Sequence, residues 1–85
     1  MDTITLLIEP YSWDRHYVTV DGILLGAVFS KEELSSLFFA MLYSNGETTD
    51  FDIQTAKTYG SCEKSEIVNL FKSAEERVST VFANM

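Results

Sequence analysis

Near the N-terminus, hydrophobic residues alternate with polar ones. Ile4, Leu6 and Ile8 fall on one face of an extended segment, and a period of two predicts a half-buried β-strand. Pro10 is expected to end this strand, because proline cannot donate to a sheet ladder. A second strand is predicted over residues 16–20, where β-branched and aromatic side chains dominate.

Asp21 and Gly22 separate the second strand from an apolar run over residues 23–29. An Asp-Gly pair between two apolar segments is typical of a two-residue hairpin turn, because both turn positions need a positive φ. A third strand is therefore predicted over 23–29. Its nearly continuous apolar character predicts a central position in the sheet, with both faces covered.

Ser30 and Glu33 have the spacing of a capping box, in which each side chain accepts a hydrogen bond from the other residue's backbone amide. Apolar residues then recur with helical spacing along one stripe, at Leu34, Leu37, Phe38 and Met41. The Asn-Gly pair at 45–46 supplies a left-handed stop. A helix is therefore predicted at about residues 31–44.

The segment over residues 47–60 has a weaker pattern. Phe51 and Ile53 alternate with polar residues, and threonine is frequent, which together predict a fourth strand near 50–57. The alternative is a short helix through Ile53, Ala56 and Lys57.

A last helix is predicted to begin at Ser61 or Ser65, either of which can cap it, and to run to or near the C-terminus. Its apolar residues keep helical spacing, at Ile67, Leu70, Phe71, Ala74, Val78, Val81 and Met85. The predicted order is β-β-β-α-β-α in a single domain of residues 1–85. Such an order favours an α+β fold, with a mainly antiparallel four-stranded sheet and both helices on one face; the strand order stays open.

The amino-acid composition predicts the structural class of the protein and its cellular compartment. The chain has 85 residues, of which 46% are hydrophobic and 13% aromatic, as expected for one small globular domain. It contains one cysteine, has no signal-like N-terminus, and lacks an apolar run long enough to span a membrane. These features predict a soluble cytoplasmic protein.

The net charge is −7, from 13 acidic and 6 basic side chains. Phosphate contacts need lysine and arginine, so the charge argues against direct binding to nucleic acid or to an anionic membrane. An acidic surface favours a basic protein partner instead. The alternative is that the charge serves only solubility.

The sequence lacks the residue sets for self-contained catalysis. His16 and Cys62 are its only histidine and cysteine; a nucleophilic pair also needs mutual contact and an orienting group, and one of each cannot form a zinc site. Asp14 and His16 share a face of an extended segment, where a solvated pair is the simpler interpretation. Nucleophile-elbow, calcium-loop and phosphate-loop motifs are also missing. A non-enzymatic protein without metal or cofactor is therefore predicted.

Two segments have the composition of a binding surface. The first, residues 47–52, carries three carboxylates and no cation, and could imitate a row of phosphates; the alternative is a charged edge strand that prevents unwanted pairing. The second, residues 10–17, carries three large aromatic residues, which are typical anchors at interfaces but can also cap a small core. The predicted partner-binding residues are Glu47, Asp50, Asp52, Tyr11, Trp13 and Tyr17.

Small size, acidity and an aromatic-acidic surface together predict a protein that binds and inhibits a basic partner, one that handles nucleic acid. This overall profile is similar to that of phage-encoded inhibitors of host defence, including anti-CRISPR proteins, and to that of immunity proteins that block toxic nucleases. The alternative is a structural or assembly protein acting as a homo-oligomer, with Phe39 and Tyr43 at a dimer interface. A small enzyme or ligand carrier that uses Cys62 or His16 is a third possibility.

Overall fold

A computed structural model describes residues 2–45, 49–57, 59 and 61–85. Four strands and two helices follow one another in the predicted order β-β-β-α-β-α, and the α+β class is confirmed. The elements are β1 (Asp2–Ser12), β2 (Arg15–Val20), β3 (Ile23–Phe29), α1 (Lys31–Asn45), β4 (Thr49–Thr55) and α2 (Ser61–Ala83).

The four strands form one sheet in the order β3-β2-β1-β4. The pairs β1–β2 and β2–β3 are antiparallel, but β4 runs parallel to β1. The sheet is therefore mixed, and the antiparallel prediction is correct only for the first three strands. The reason is that α1 carries the chain back to the end of the sheet where β3 begins. As a result, β4 runs in the same direction as β3. Because β3 is antiparallel to β2 and β2 is antiparallel to β1, this is also the direction of β1.

The prediction that β3 is a central strand is wrong, because β3 lies at one edge of the sheet. Ile23 is 70% exposed and Leu24 is 56% exposed, whereas Leu25 and Phe29 pack against the core. An apolar run indicates contact with other side chains. It does not say whether a strand pairs on both sides.

The prediction that Pro10 ends the first strand is also wrong, since β1 continues to Ser12. β4 ends at Thr55, opposite Ile8 of β1. At Pro10, β1 therefore has a neighbouring strand on one side only, and proline is tolerated at such an edge. Tyr11 consequently belongs to a strand and not to a loop.

Two of the predicted local motifs are present, whereas the glycine of the predicted Asn-Gly stop at 45–46 lies outside the described residues. Asp21 and Gly22 form the hairpin turn with φ values of 49° and 84°, and the Asp21 carboxylate accepts a hydrogen bond from the Thr5 amide at 2.8 Å. At the start of α1, the Ser30 amide donates to Glu33 Oε1 at 3.0 Å, and the Glu33 amide donates to Ser30 Oγ at 3.1 Å. These contacts satisfy amides that a helix start leaves without partners.

The core lies between one sheet face and the two helices. Its largest fully buried side chains come from β1, β2, α1 and α2, and are Leu6, Ile8, Val18, Leu34, Phe38 and Ile67. Phe38 meets Phe71 of α2 edge-on, with ring centroids 5.4 Å apart. Because both helices join the same core, they lie on the same face of the sheet.

The far end of α1 packs against the second half of α2. The Tyr43 ring lies 6.1 Å from the Phe39 ring and 5.4 Å from the Phe82 ring, and the Arg77 guanidinium lies 4.8 Å above Phe39. Residues 39 and 43, predicted at a dimer interface, thus have aromatic neighbours within their own chain. Tyr43 remains 44% exposed.

Candidate functional site

The sheet face opposite the helices, here called the outer face, carries most of the predicted partner-binding residues. Side chains alternate between the two faces of a strand, so the strand pairing assigns each residue to one side. The outer face comprises Thr3, Thr5, Leu7, Glu9, Tyr11, Tyr17, Thr19, Leu24, Val28, Asp50, Asp52 and Gln54.

Aromatic and apolar side chains occupy one corner of the outer face. The rings of Tyr11 and Tyr17 are 5.0 Å apart and tilted by 59°, and Tyr11 is 56% exposed. With Leu24 and Val28 they line a shallow depression of about 430 Å³. Rigid aromatic side chains around a depression are suited to anchor a partner, because little side-chain entropy is lost on binding.

Carboxylates occupy the opposite corner of the outer face. Asp50 and Asp52 are exposed on β4, where they lie opposite Thr3 and Thr5 of β1. The Asp52 carboxylate accepts a hydrogen bond from Gln54 Nε2 at 2.9 Å. Because β4 is an edge strand, these carboxylates can also serve to prevent a strand of another chain from pairing with it.

The outer face therefore brings together four of the six predicted residues, with the aromatic and acidic corners about 20 Å apart along β1. Trp13 lies apart from them, in the turn between β1 and β2, and is 93% exposed. Glu47 lies outside the described residues. The only cation in the four strands is Arg15, whose Nη1 is 3.8 Å from a carboxylate oxygen of Glu33 at the start of α1. The outer face is thus strongly negative.

A second feature is a cleft of about 720 Å³, here called the His16 cleft, beside the turn between β1 and β2. Its walls come from that turn, the start of α1, the segment after β4 and the first turns of α2, and include Trp13, Asp14, His16, Lys31, Tyr59 and Glu63. Asp14 has a φ of 49°, and its carboxylate accepts a hydrogen bond from the Lys31 amide at 3.2 Å. This contact ties the turn to α1.

His16 is a buried wall of this cleft, only 5% exposed. Its Nδ1 lies 2.8 Å from the carbonyl oxygen of Phe29, and since a carbonyl can only accept, Nδ1 carries the proton and donates. In the neutral ring, Nε2 is then an acceptor. The ring also stacks on Tyr59, with centroids 6.0 Å apart and planes 20° apart.

Tyr59 is only 7% exposed. Within the described part of the chain its hydroxyl has no hydrogen-bond partner. Burial, and then the negative charges of Glu63 and Glu9, raise the pKa of Tyr59 to about 12. A neutral hydroxyl buried without a partner costs about 1–3 kcal/mol of folding free energy.

The charge of the cleft is predominantly negative. Asp14, Glu32 and Glu63 contribute carboxylates, whereas Lys31 contributes the only ammonium group among the lining residues. Lys31 Nζ lies 2.6 Å from a carboxylate oxygen of Glu66, and that hydrogen bond raises the pKa of Lys31. The single ammonium group is therefore already paired, and the carboxylates dominate the rest of the cleft.

Sequence reasoning placed Asp14 and His16 on one face of an extended segment but did not predict this cleft. Asp14 and His16 do share a site, but His16 is buried, so the interpretation as a solvated pair is wrong for His16. Tyr59 was not singled out, because a tyrosine in an irregular segment carries no local signal of burial. Cys62 lies in α2, and its side chain is outside the described part of the structure.

Comparison with known proteins adds no assignment: no family model, no curated protein and no solved structure matches this chain. Among the described residues, no three His, Cys, Asp or Glu side chains come together in a way that could hold a metal ion. In the same part of the chain, neither helix combines the length and apolar character needed to cross a membrane.

Proposed function

We propose that this protein is a non-enzymatic inhibitor that binds a basic protein partner through its outer face, and that the partner is one that handles nucleic acid. One observation supports this most strongly. The outer face combines a tyrosine pair, of which Tyr11 is exposed, with the exposed carboxylates of Asp50 and Asp52, while Arg15, the one cation of the four described strands, lies near Glu33 of α1.

The two corners of the outer face have complementary roles in this proposal. Asp50 and Asp52 lie two residues apart on one strand face, about 6.6 Å, so both can meet neighbouring cations that otherwise contact phosphates. Carboxylates at an exposed surface mainly speed association and select the partner. Tyr11 and Tyr17 supply the buried apolar contact from which most binding energy comes at interfaces. Trp13, also predicted as an anchor, lies apart from this pair in the turn between β1 and β2 and is not part of the outer face.

Reversing the charge at both aspartates should weaken binding of the partner at least tenfold. The Asp50→Lys/Asp52→Lys variant replaces attraction by repulsion where the cations would lie. Glu75→Lys/Glu76→Lys on α2 is the matched control, because it changes the net charge equally at exposed positions away from the sheet. The partner is captured from lysate of the source cells at low and high salt, identified by mass spectrometry and purified, and its affinity for each variant is measured by calorimetry.

Three results together support the proposal: a basic protein is captured, its affinity falls only with the sheet variant, and wild-type protein prevents it from binding nucleic acid. Equal weakening by both double variants would mean that only net charge matters. Unchanged affinity for the sheet variant would remove the acidic corner from the binding site.

A homo-oligomer is the second candidate, and the edge position of β3 favours it. An exposed apolar edge strand offers unpaired backbone groups to a second copy of the chain, and Ile23 and Leu24 are largely exposed there. In this case, light scattering should show a concentration-dependent dimer that Leu24→Lys dissociates. Gln54→Lys, on the outer face of β4, is the control that leaves the dimer intact. A wild-type protein that stays monomeric at all concentrations would end this candidate.

A further inference from the structure

The His16 cleft has a chemistry of its own, distinct from that of the outer face. His16 and Tyr59 are both more than nine-tenths buried, and the Tyr59 hydroxyl makes no hydrogen bond within the described part of the chain. This hydroxyl can accept a hydrogen bond, and so can Nε2 of His16 when Nδ1 donates to Phe29. A buried hydroxyl without a partner, next to a histidine acceptor in the wall of the same cleft, indicates a ligand that donates hydrogen bonds.

The charges of the cleft show which kind of donor fits. Asp14 and Glu63 add negative charge, while the ammonium group of Lys31 is paired with Glu66 at 2.6 Å. Carboxylates accept hydrogen bonds and attract cations. At the rim, the indole of Trp13 is 93% exposed, and an indole face attracts a cation placed above it.

We propose that the His16 cleft binds a guanidinium group, carried by an arginine side chain of another protein or by a small arginine-like molecule. A guanidinium is planar and always charged, and it has five N–H donors and no acceptor. It can stack on Trp13 while donating to His16 Nε2, the Tyr59 hydroxyl and a carboxylate. An ammonium group has only three donors at one point and cannot stack, so it satisfies fewer of these atoms.

This site does not depend on the proposed role of the outer face. The residues that the cleft requires are absent from the outer face, and Asp50 and Asp52 are absent from the cleft. Charge reversal at those two aspartates should therefore leave guanidinium binding unchanged. Failure of one proposal can be distinguished from failure of the other.

The test is a fluorescence titration at pH 8, in which Trp13, the only tryptophan of the chain, reports binding. The probe is Nα-acetyl-L-arginine amide, and its control is the citrulline analogue, which has the same shape and no charge. The arginine probe should bind at least tenfold more tightly than the citrulline and lysine analogues. A parallel titration with agmatine distinguishes the sources: tighter binding of agmatine indicates a small molecule, and tighter binding of the capped arginine indicates a protein side chain.

Two variants assign the binding to the cleft. Tyr59→Phe removes one oxygen atom, and Asp14→Asn removes a charge but keeps an acceptor for the Lys31 amide and tolerates positive φ; each should weaken binding at least threefold. Glu75→Gln on α2 should leave binding unchanged. Urea unfolding confirms that each variant is folded.

The proposal is overturned if the citrulline analogue binds as tightly as the arginine probe, or if neither cleft variant alters the affinity. It is also overturned if neither Trp13 fluorescence nor the amide NMR signals of His16 and Tyr59 respond up to the solubility limit of the probe.

Discussion

Replacing Phe38 with alanine should lower the free energy of unfolding by about 3–5 kcal/mol. Phe38 is fully buried between the sheet and α2 and packs edge-on against Phe71 at 5.4 Å. The variant loses the transfer free energy of the ring and leaves a cavity that the sheet cannot close. A chain of this length is typically stable by about 4–13 kcal/mol, so the loss is a large part of the total. Urea unfolding followed by circular dichroism measures it.

Phe39→Ala is the matched control for this prediction, because it deletes the same ring at the next position of α1. Phe39 is only half-buried, between Tyr43 and Arg77, so its loss should cost less than half as much. Adjacent helix positions point about 100° apart. An equal loss of unfolding free energy for Phe38→Ala and Phe39→Ala would contradict the orientation of α1 in this fold.

Replacing Tyr59 with phenylalanine should stabilise the protein by about 1–3 kcal/mol. The ring keeps its stacking on His16, while the buried hydroxyl, which has no partner among the described residues, is removed. Most substitutions at buried positions destabilise, so the sign of this effect is diagnostic. Urea unfolding at pH 7 measures it, and Tyr17→Phe on the outer face is the control, expected to change stability little.

The same pair of proteins should differ further at high pH. The pKa of Tyr59 is about 12 in the folded protein and about 10 in an unfolded chain. Because the folded value is raised, the stability that depends on the neutral hydroxyl is present below pH 10 and is lost as the pH rises toward 12. Wild type should lose up to about 2–3 kcal/mol more than Tyr59→Phe over this range.

Urea unfolding of wild type and Tyr59→Phe at several values between pH 8 and 11.5 tests this difference. Parallel curves for wild type and Tyr59→Phe would mean that the hydroxyl is accessible to water. The cleft would then lose its buried acceptor without a partner.

Much of the fold could be predicted from the sequence, because the signals involved are local. The Asp-Gly pair at 21–22 specifies its turn through backbone conformation, and Ser30 with Glu33 specifies a helix start through contacts three residues apart. The periodicity of α1 and α2 follows from the helix itself. Each of these features depends on neighbours within a few positions, so the sequence alone contains the information.

The arrangement of these elements could not be predicted in the same way. The apolar run of β3 is equally compatible with a central and an edge position, and the return of the chain through α1 made β4 parallel to β1. Pro10 stayed in β1 because β4 ends opposite Ile8, a fact that depends on residues more than forty positions away. Pairing between distant strands is decided by the packing of the whole core.

The features of the candidate sites can also be separated into those that follow from the sequence and those that depend on tertiary contacts. The sequence by itself determined the acidity, the missing catalytic sets and the aromatic and acidic segments, because these are properties of composition and spacing. Only the tertiary structure placed Tyr11 and Tyr17 on the same sheet face as Asp50 and Asp52. It alone brought Tyr59 to His16 across more than forty residues, because burial and hydrogen-bond satisfaction arise between distant segments and leave no trace in local pattern.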